Sequence, residues 1–432
     1  MTGKQLAAII VAFCLCVFGA TLGVLRFSSG DPSSGDTAPP KSTPPSKAPV
    51  YAYATSQELV VMRGRQVVGR TSRAFDPANY AVNQISWTHD GKYVVFLSDA
   101  GLLPGSAGLY DESKQELRFI NTQTGTEKRL PCPDCKWFAT LEDDTVLATA
   151  VHTTNEGYDE QKVWLFDLDS GSPGVSQPLN TEQYNGLPGS TWLANTRNHM
   201  MVNLLGDSPR MAFFSSDGLE VLNNTLYSTS NSYMLATGAE HTIYGSEVFA
   251  LAAPIRPGEC TQAFAVDVHT PSRQESIGSD SSAIEPPGYK DGKSGLDILD
   301  MWWGFDGKLH ATIASWTCDE TKESEETKQV LVSPPTVWRL DWDKWVKEGN
   351  QPATMVRPLD ARTSMVLVVP DCIGITPPDG PYCYVGKLYR EEAGKRTLVA
   401  DQVFSVSTPP IKGGPSKAIR PWPTPTYDHK GE

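Results

Sequence analysis

Cys132-Pro133-Asp134-Cys135 is the residue pattern with the most chemistry in this chain. Two thiols three positions apart form a redox couple when one is activated and the other resolves the mixed disulfide. That activation draws on a helix N-terminus. Here the motif falls between a strand ending at Leu130 and one beginning at Lys136. The residues favour a structural disulfide closing a turn, with redox exchange as one alternative. A zinc half-site is the other, and it lacks a second Cys or His pair at ligand spacing.

Four further cysteines follow: Cys260, Cys318, Cys372 and Cys383. Six in all, beyond the N-terminal apolar run, fit disulfides in an oxidising compartment. Neighbour pairing is the preferred arrangement: 132 with 135, 260 with 318, 372 with 383. Other connectivities stay open.

The histidines, His89, His152, His199, His241, His269, His310 and His429, show no i, i+4 zinc pair and read as surface or loop residues. Acidic groups occur at Glu142-Asp143-Asp144, at Asp167-Leu168-Asp169, and at Asp319-Glu320 with Glu323, Glu325 and Glu326. Only Asp167 to Gly171 alternates oxygens as a calcium loop does, and it lacks the remaining ligands. There is no Gly-x-Ser-x-Gly elbow, P-loop or Gly-x-Gly-x-x-Gly. The residues therefore assign no catalytic group, no metal and no cofactor. Trp137, Trp192, Trp302 and Trp303 lie near strand starts; they are candidates to line a channel and hold a sugar or peptide, or to fill the core between sheets.

The elements that would position these groups repeat. Trp87-Thr88-His89-Asp90-Gly91-Lys92 returns as Trp303-Gly304-Phe305-Asp306-Gly307-Lys308, each followed by an apolar stretch. A second phrase, apolar strand then polar turn, recurs at Phe119 to Gly125 and Leu165 to Gly171, and more loosely at Phe264 to Asp267 and Trp338 to Asp341. Strand, Asp-Gly turn, two strands and a polar turn, repeating every ~40–70 residues, is how a β-propeller blade reads. The expected units begin near Val82, Lys136, Trp192, Tyr233, Met301 and Met365. Val403 to Ser407 supplies one more inner strand, and Val50 to Thr55, Glu58 to Arg63 and Gln66 to Thr71 supply its outer strands. The expected fold is all-β: a seven-bladed β-propeller, with six blades as the alternative, closed by N- and C-terminal strands sharing a blade. Ala100 to Ser113, Thr153 to Gln161, Ser272 to Ser294 and Asp319 to Thr327 read as polar insertions, the kind of loop that often carries function.

Asp90-Gly91-Lys92 followed by Tyr93-Val94-Val95-Phe96-Leu97-Ser98-Asp99 resembles the repeat of TolB-type and WD40-like β-propellers. The match covers the first unit and weakens over the second, fourth and fifth. The resemblance implies a propeller with a binding or scaffolding role and no shared catalytic residues. Blade lengths are irregular, and the Trp-Asp dipeptide is missing from its strand.

The 432 residues carry 37 Lys plus Arg against 50 Asp plus Glu, a formal charge of −13 without clustered cations, which argues against nucleic acid as partner. Leu6 to Leu25 is uncharged and long enough to span a bilayer. Residues 1–26 are read as a signal anchor and transmembrane helix, with cleavage after Gly19-Ala20-Thr21 as the alternative. Cys14 and Cys16 follow Phe13 and Leu15, which do not make a lipobox. Residues 27–49 form a Pro- and Ser-rich linker, 50–408 the propeller, and 409–432 a Pro-rich tail containing Trp422. Anchor, spacer and cysteines together resemble an actinobacterial envelope protein in composition.

The expectation is a single-pass protein of the cell membrane with its folded domain outside the cytoplasm. It would act as a binding or assembly platform for a protein, peptide or glycan. A cell-envelope hydrolase or lyase, with its site at the propeller mouth, is the alternative.

Overall fold

Short runs of β-branched and aromatic residues, cut by Asp-Gly, Thr-Gly and Pro, give short antiparallel strands. The structure, a computed structural model, describes residues 48–411 except 56, 73–84, 99–113, 154–158, 172–173, 179–190, 205–209, 216–217, 223–234, 244–245, 256–259, 270–289, 291–292, 320–327, 342–343 and 370–384. The chain divides into two compact units, Met1–Pro45 and Ser46–Glu432, and the described residues belong to the second. The expected anchor, most of the linker and tail, and Cys372 and Cys383 lie outside the described residues. Among the described residues no helix is long and apolar enough to cross a membrane.

The chain opens with β1 (Val50–Thr55), β2 (Glu58–Arg63) and β3 (Gln66–Ser72). A first four-stranded sheet holds β4 (Ile85–Trp87), β5 (Tyr93–Leu97), β6 (Glu116–Asn121) and β7 (Glu127–Pro131). The second holds β8 (Cys135–Thr140), β9 (Thr145–Thr153), β10 (Asp159–Asp167) and β11 (Val175–Pro178). The third holds β12 (Thr191–Asn195), β13 (Met200–Leu204), β14 (Arg210–Ser215) and β15 (Gly218–Leu222). The fourth has β16 (Leu235–Ile243), β17 (Ser246–Ile255) and β18 (Ala263–His269). The fifth has β19 (Ser294–Trp303), β20 (Leu309–Asp319), β21 (Lys328–Asp341) and β22 (Lys344–Lys347). Last come β23 (Met355–Pro358), β24 (Thr363–Val368), β25 (Gly386–Glu392) and β26 (Lys395–Ser407).

The two chain ends share one sheet, in the order β23-β24-β25-β26-β1-β2-β3. Strand β26 serves two neighbours. Its first half pairs with β25, Thr397 opposite Arg390. Its second half pairs with β1, Val406 opposite Tyr53 and Ser407 opposite Ala52. The change of partner falls at a bulge beside Gln402, whose φ of 57° is left-handed. This pairing is the closure expected from the sequence.

The leading strands β4, β8, β12, β16, β19, β23 and β26 neighbour one another in that order, and β26 returns to β4. Sheets arranged face to face around such a ring are β-propeller construction. Burial follows from it. Strand β5, lying inside its sheet, is buried at every residue (Tyr93 to Leu97), whereas outer β3 alternates. Tyr93, Phe119, Phe138 and Phe166 fill the space between the first and second sheets, each worth about 2 kcal/mol in removed apolar surface.

Strand alternation gives the ring two unlike faces. First-to-second and third-to-fourth strand connections leave one edge and are short, such as 88–92, 304–308 and 393–394. Second-to-third and sheet-to-sheet connections leave the opposite edge and include 98–115, 179–190, 270–293 and 369–385. Ala48 and Pro409, at the two ends of the described residues, lie on the short-turn face. A side chain at Gly64 would meet Ala48 at 3.1 Å, and one at Gly91 would meet Pro409 at 3.3 Å.

Two expectations are corrected. Residues 153–161 are not wholly an insertion, because β9 and β10 pair up to Thr153 opposite Asp159. Strands β20 and β21 likewise run past the expected ends, with Asp319 opposite Lys328.

Candidate functional site

The face of the fifth sheet that looks toward β23 carries a line of ionisable groups. At the short-turn end, His310 on β20 is only 9% exposed and stacks on Trp302 at a 5.6 Å centroid distance. Its Nδ1 lies 3.0 Å from Glu348 Oε2 and its Nε2 3.1 Å from Asp306 Oδ1. Arg339 Nη1 reaches Glu348 Oε1 at 3.2 Å, and Lys308 Nζ donates to Asp341 Oδ1 at 2.7 Å.

Burial opposes protonation of His310, but Asp306 and Glu348 outweigh it and hold its pKa above the ordinary value. Burial also acts on Asp306, yet the His310 bond leaves its carboxyl below the usual range. With a carboxylate on each ring nitrogen, His310 is an imidazolium clamp, with no lone pair to act as a base. The expectation of a surface or loop histidine fails here. The i, i+4 pairing with Asp306 was visible in sequence, whereas Glu348 is brought in by the sheet.

Farther along, Asp300 Oδ2 accepts from Arg357 Nη1 at 2.6 Å and from Val356 N at 2.9 Å. Thr312, opposite Asp300, donates its hydroxyl to Thr354 O at 2.8 Å. Three residues nearer the long-connection face comes Asp297, opposite Ala314. Burial pushes its carboxyl up to about 7, and only the Ile298 backbone N–H opposes the shift.

Elsewhere, polar groups tie sheet to sheet on the short-turn face. Lys92 bridges Asp169 and Asp144 of the second sheet, and Tyr93 OH donates to Asp169 at 2.9 Å. Arg197 pairs with Glu142. Glu247 of the fourth sheet takes Thr196 Oγ1 at 2.7 Å, Asn198 N at 2.9 Å and His199 Nδ1 at 2.5 Å from the third. Burial works against the Glu247 carboxylate, and His199 and Thr196 overcome it, so its pKa is lowered. The Asp167 turn is capped by its own carboxylate, which accepts Asp169 N at 2.9 Å. Among the described residues no metal-holding group of His, Cys, Asp and Glu occurs.

Cys132 and Cys135 are disulfide-bonded and fully buried in the core between the first two sheets. Cys260 and Cys318 are bonded across the fourth and fifth sheets, and Trp316 Nε1 donates to Cys260 O at 2.7 Å beside them. Trp302 packs with Ala353, Val356 and Val366, and Trp303 with the core of the fourth and fifth sheets, its indole 3.4 Å from Thr237 O. Trp137 is half-buried on β8 opposite Thr149. Trp192 sits on β12, its side chain outside the description.

The architecture defines a class, an all-β propeller with polar clasps between sheets. No protein-family model matches the chain, and no curated protein matches it. Several solved structures are similar to it. The β-propeller domain of the Trilobed protease from Pyrococcus furiosus, described as having an open velcro topology, is 11% identical with a TM-score of 0.44, covering 82% of this chain and 93% of that one. TolB from Acinetobacter baumannii is 11% identical with a TM-score of 0.37, covering 84% and 67%. A prolyl endopeptidase structure is 14% identical with a TM-score of 0.44, covering 83% of this chain and 49% of that one.

Proposed function

We propose that the chain is a single-pass, membrane-tethered, seven-bladed β-propeller whose folded part, residues 50–408, works outside the cytoplasm as a binding platform for a protein, peptide or glycan. The ring of leading strands, with β26 contributing to two blades, supports the reading of seven blades. Two disulfides fit an oxidising compartment. The apolar run Leu6 to Leu25 is the proposed anchor.

One observation carries the binding role: among the described strands, the ends joined by the extended connections lie on one face, while the opposite turns are short and tied to their neighbours. Loops held on a rigid ring form a recognition surface without rearrangement of the scaffold. On the short-turn face the ionisable groups serve as clasps, and His310 has both nitrogens occupied.

The test is cross-linking capture from intact envelope with the full chain. Replacing residues 99–113 or 370–384 by a short turn should remove captured partners, whereas Arg197→Ala on the other face should keep them. Capture that survives both replacements and is lost with Arg197→Ala refutes the reading. The alternative, an envelope hydrolase or lyase, predicts turnover of envelope glycan or peptide fragments by the purified chain.

A further inference from the structure

We propose that the outer edge of β21, over residues 328–333, takes an extended segment of a partner protein, apolar with basic residues, as an added β-strand. The inference rests on the platform reading and deepens it, because this section of β21 lies at the long-connection face.

Strand β21 outruns its outer neighbour. It spans 14 residues and β22 only four. Strand β22 pairs with it from Trp338 to Asp341, Glu348 N donates to Val337 O at 2.9 Å, and Ala353 N donates to Pro335 O at 2.8 Å. Among the described residues no strand pairs with that edge from 328 to 333. The other edge belongs to β20, from Lys328 opposite Asp319 to Ser333 opposite Ser315. The N–H and C=O groups of an unpaired edge are a template for a further strand.

Edge strands ordinarily carry charge or proline against such pairing. The outermost described strands of the other sheets do so: Arg70 on β3, Lys128 on β7, Glu220 on β15, Asp267 on β18 and Arg396 in the first half of β26, while four-residue β11 ends in Pro178. Between Lys328 and Pro334 the residues are Gln329-Val330-Leu331-Val332-Ser333, uncharged and rich in strand formers. Val332 is an extra residue in the register, between Leu331 opposite Trp316 and Ser333 opposite Ser315. Such a bulge re-aims its strand. Leu331 is 45% exposed and Val332 49%, a consecutive apolar pair, whereas the other exposed large apolar residues, Val67, Leu165, Val346 and Leu398, stand singly. Apolar side chains beside a free edge offer an added strand side-chain contacts as well as main-chain bonds. Pro334 and Pro335 have no N–H and end the edge, which leaves about 20 Å of strand.

Charge selects the occupant. The chain carries a net −13, and Asp319, Glu320, Glu323, Glu325 and Glu326 precede Lys328 in sequence. A segment bearing Lys or Arg is drawn in, and a second copy of this chain is repelled.

The test is amide hydrogen exchange on the full chain in detergent at fixed ionic strength. The probes are acetyl-Lys-Val-Thr-Val-Thr-Lys-amide and acetyl-Glu-Val-Thr-Val-Thr-Glu-amide. Residues 328–333 should exchange fast in the free chain and about tenfold more slowly with the lysine probe saturating, because added main-chain bonds must open first. The glutamate probe should bind about tenfold more weakly or less. The double variant Leu331→Lys/Val332→Lys should lose the protection with an unchanged circular dichroism spectrum, since both side chains are exposed. Val67→Lys, at another exposed apolar position, should keep it. Protection of 328–333 before any probe is added, no protection by the lysine probe, equal binding of the two probes, or unchanged protection in the double variant overturns the proposal. So does a dimer in analytical ultracentrifugation that the double variant dissolves, which gives the edge to a second copy. Probe protection and envelope capture are separate readouts. Loss of capture in the loop replacements concerns the platform, and loss of probe protection in the double variant concerns this edge, so the two failures are distinct results.

Discussion

Asp300 and Arg357 join two neighbouring blades through a 2.6 Å ion pair whose carboxylate is almost completely buried. The second acceptor contact, from Val356 N, aligns the start of β23 on the middle of β19. Arg357→Ala leaves that carboxylate without its cation. It should destabilise the chain by about 3 kcal/mol, read as a lower urea midpoint with unchanged slope.

Stability should fall as pH rises through two separable windows. His310 has a raised folded pKa, so its contribution is complete below the ordinary value of 6.5 and is lost as pH climbs through the higher folded value. His310→Gln should flatten the urea midpoint against pH above 6.5. Asp297 titrates at about 7 folded against 3.8 unfolded, so the penalty for ionising it grows between those values. Asp297→Asn should remove that slope and gain at most about 4 kcal/mol at pH 8. Unchanged slopes in both variants would contradict the assignments.

The two disulfides should behave differently. Cys132 and Cys135 are inaccessible, whereas Cys260 and Cys318 are partly exposed. Mild reductant followed by maleimide should label the latter pair first, as mass spectrometry would show. By loop-closure entropy, removing the 260–318 link, with a sequence separation of 58, should cost about 4 kcal/mol, and removing the 132–135 link about 2 kcal/mol.

Gly125→Ala should be strongly destabilising although the residue sits in a surface turn. Its φ is +73°, and a Cβ there would lie 2.1 Å from Val68 O on the neighbouring blade. A loss of about 2 kcal/mol or more in thermal or urea unfolding is expected. A neutral result would mean the blades are spaced more loosely than described.

The ring was legible in sequence because its signals are local. Asp90-Gly91 marks a turn, Tyr93 to Leu97 marks a buried strand, and unpaired apolar runs at both ends, Tyr51 to Ala54 and Val403 to Val406, mark strands in need of each other. The clasps were not legible. His199 meets Glu247 from 48 residues away and His310 meets Glu348 from 38, with separations set by blade length rather than by any helical or strand period. Asp297 and Asp300 look alike in the sequence. The structure gives Asp300 its partners from β23, Arg357 and Val356, which nothing in the sequence marks.

The shared closing sheet also sets how the protein answers to force. Strands β1 and β26 run antiparallel, and Ala52 faces Ser407 where the chain enters and leaves. Tension applied between those two points would load the backbone bonds in succession, as in unzipping, instead of all together, as in shear. A chain hauled by its ends would therefore part first at this seam, under modest load, with the remaining blades still folded.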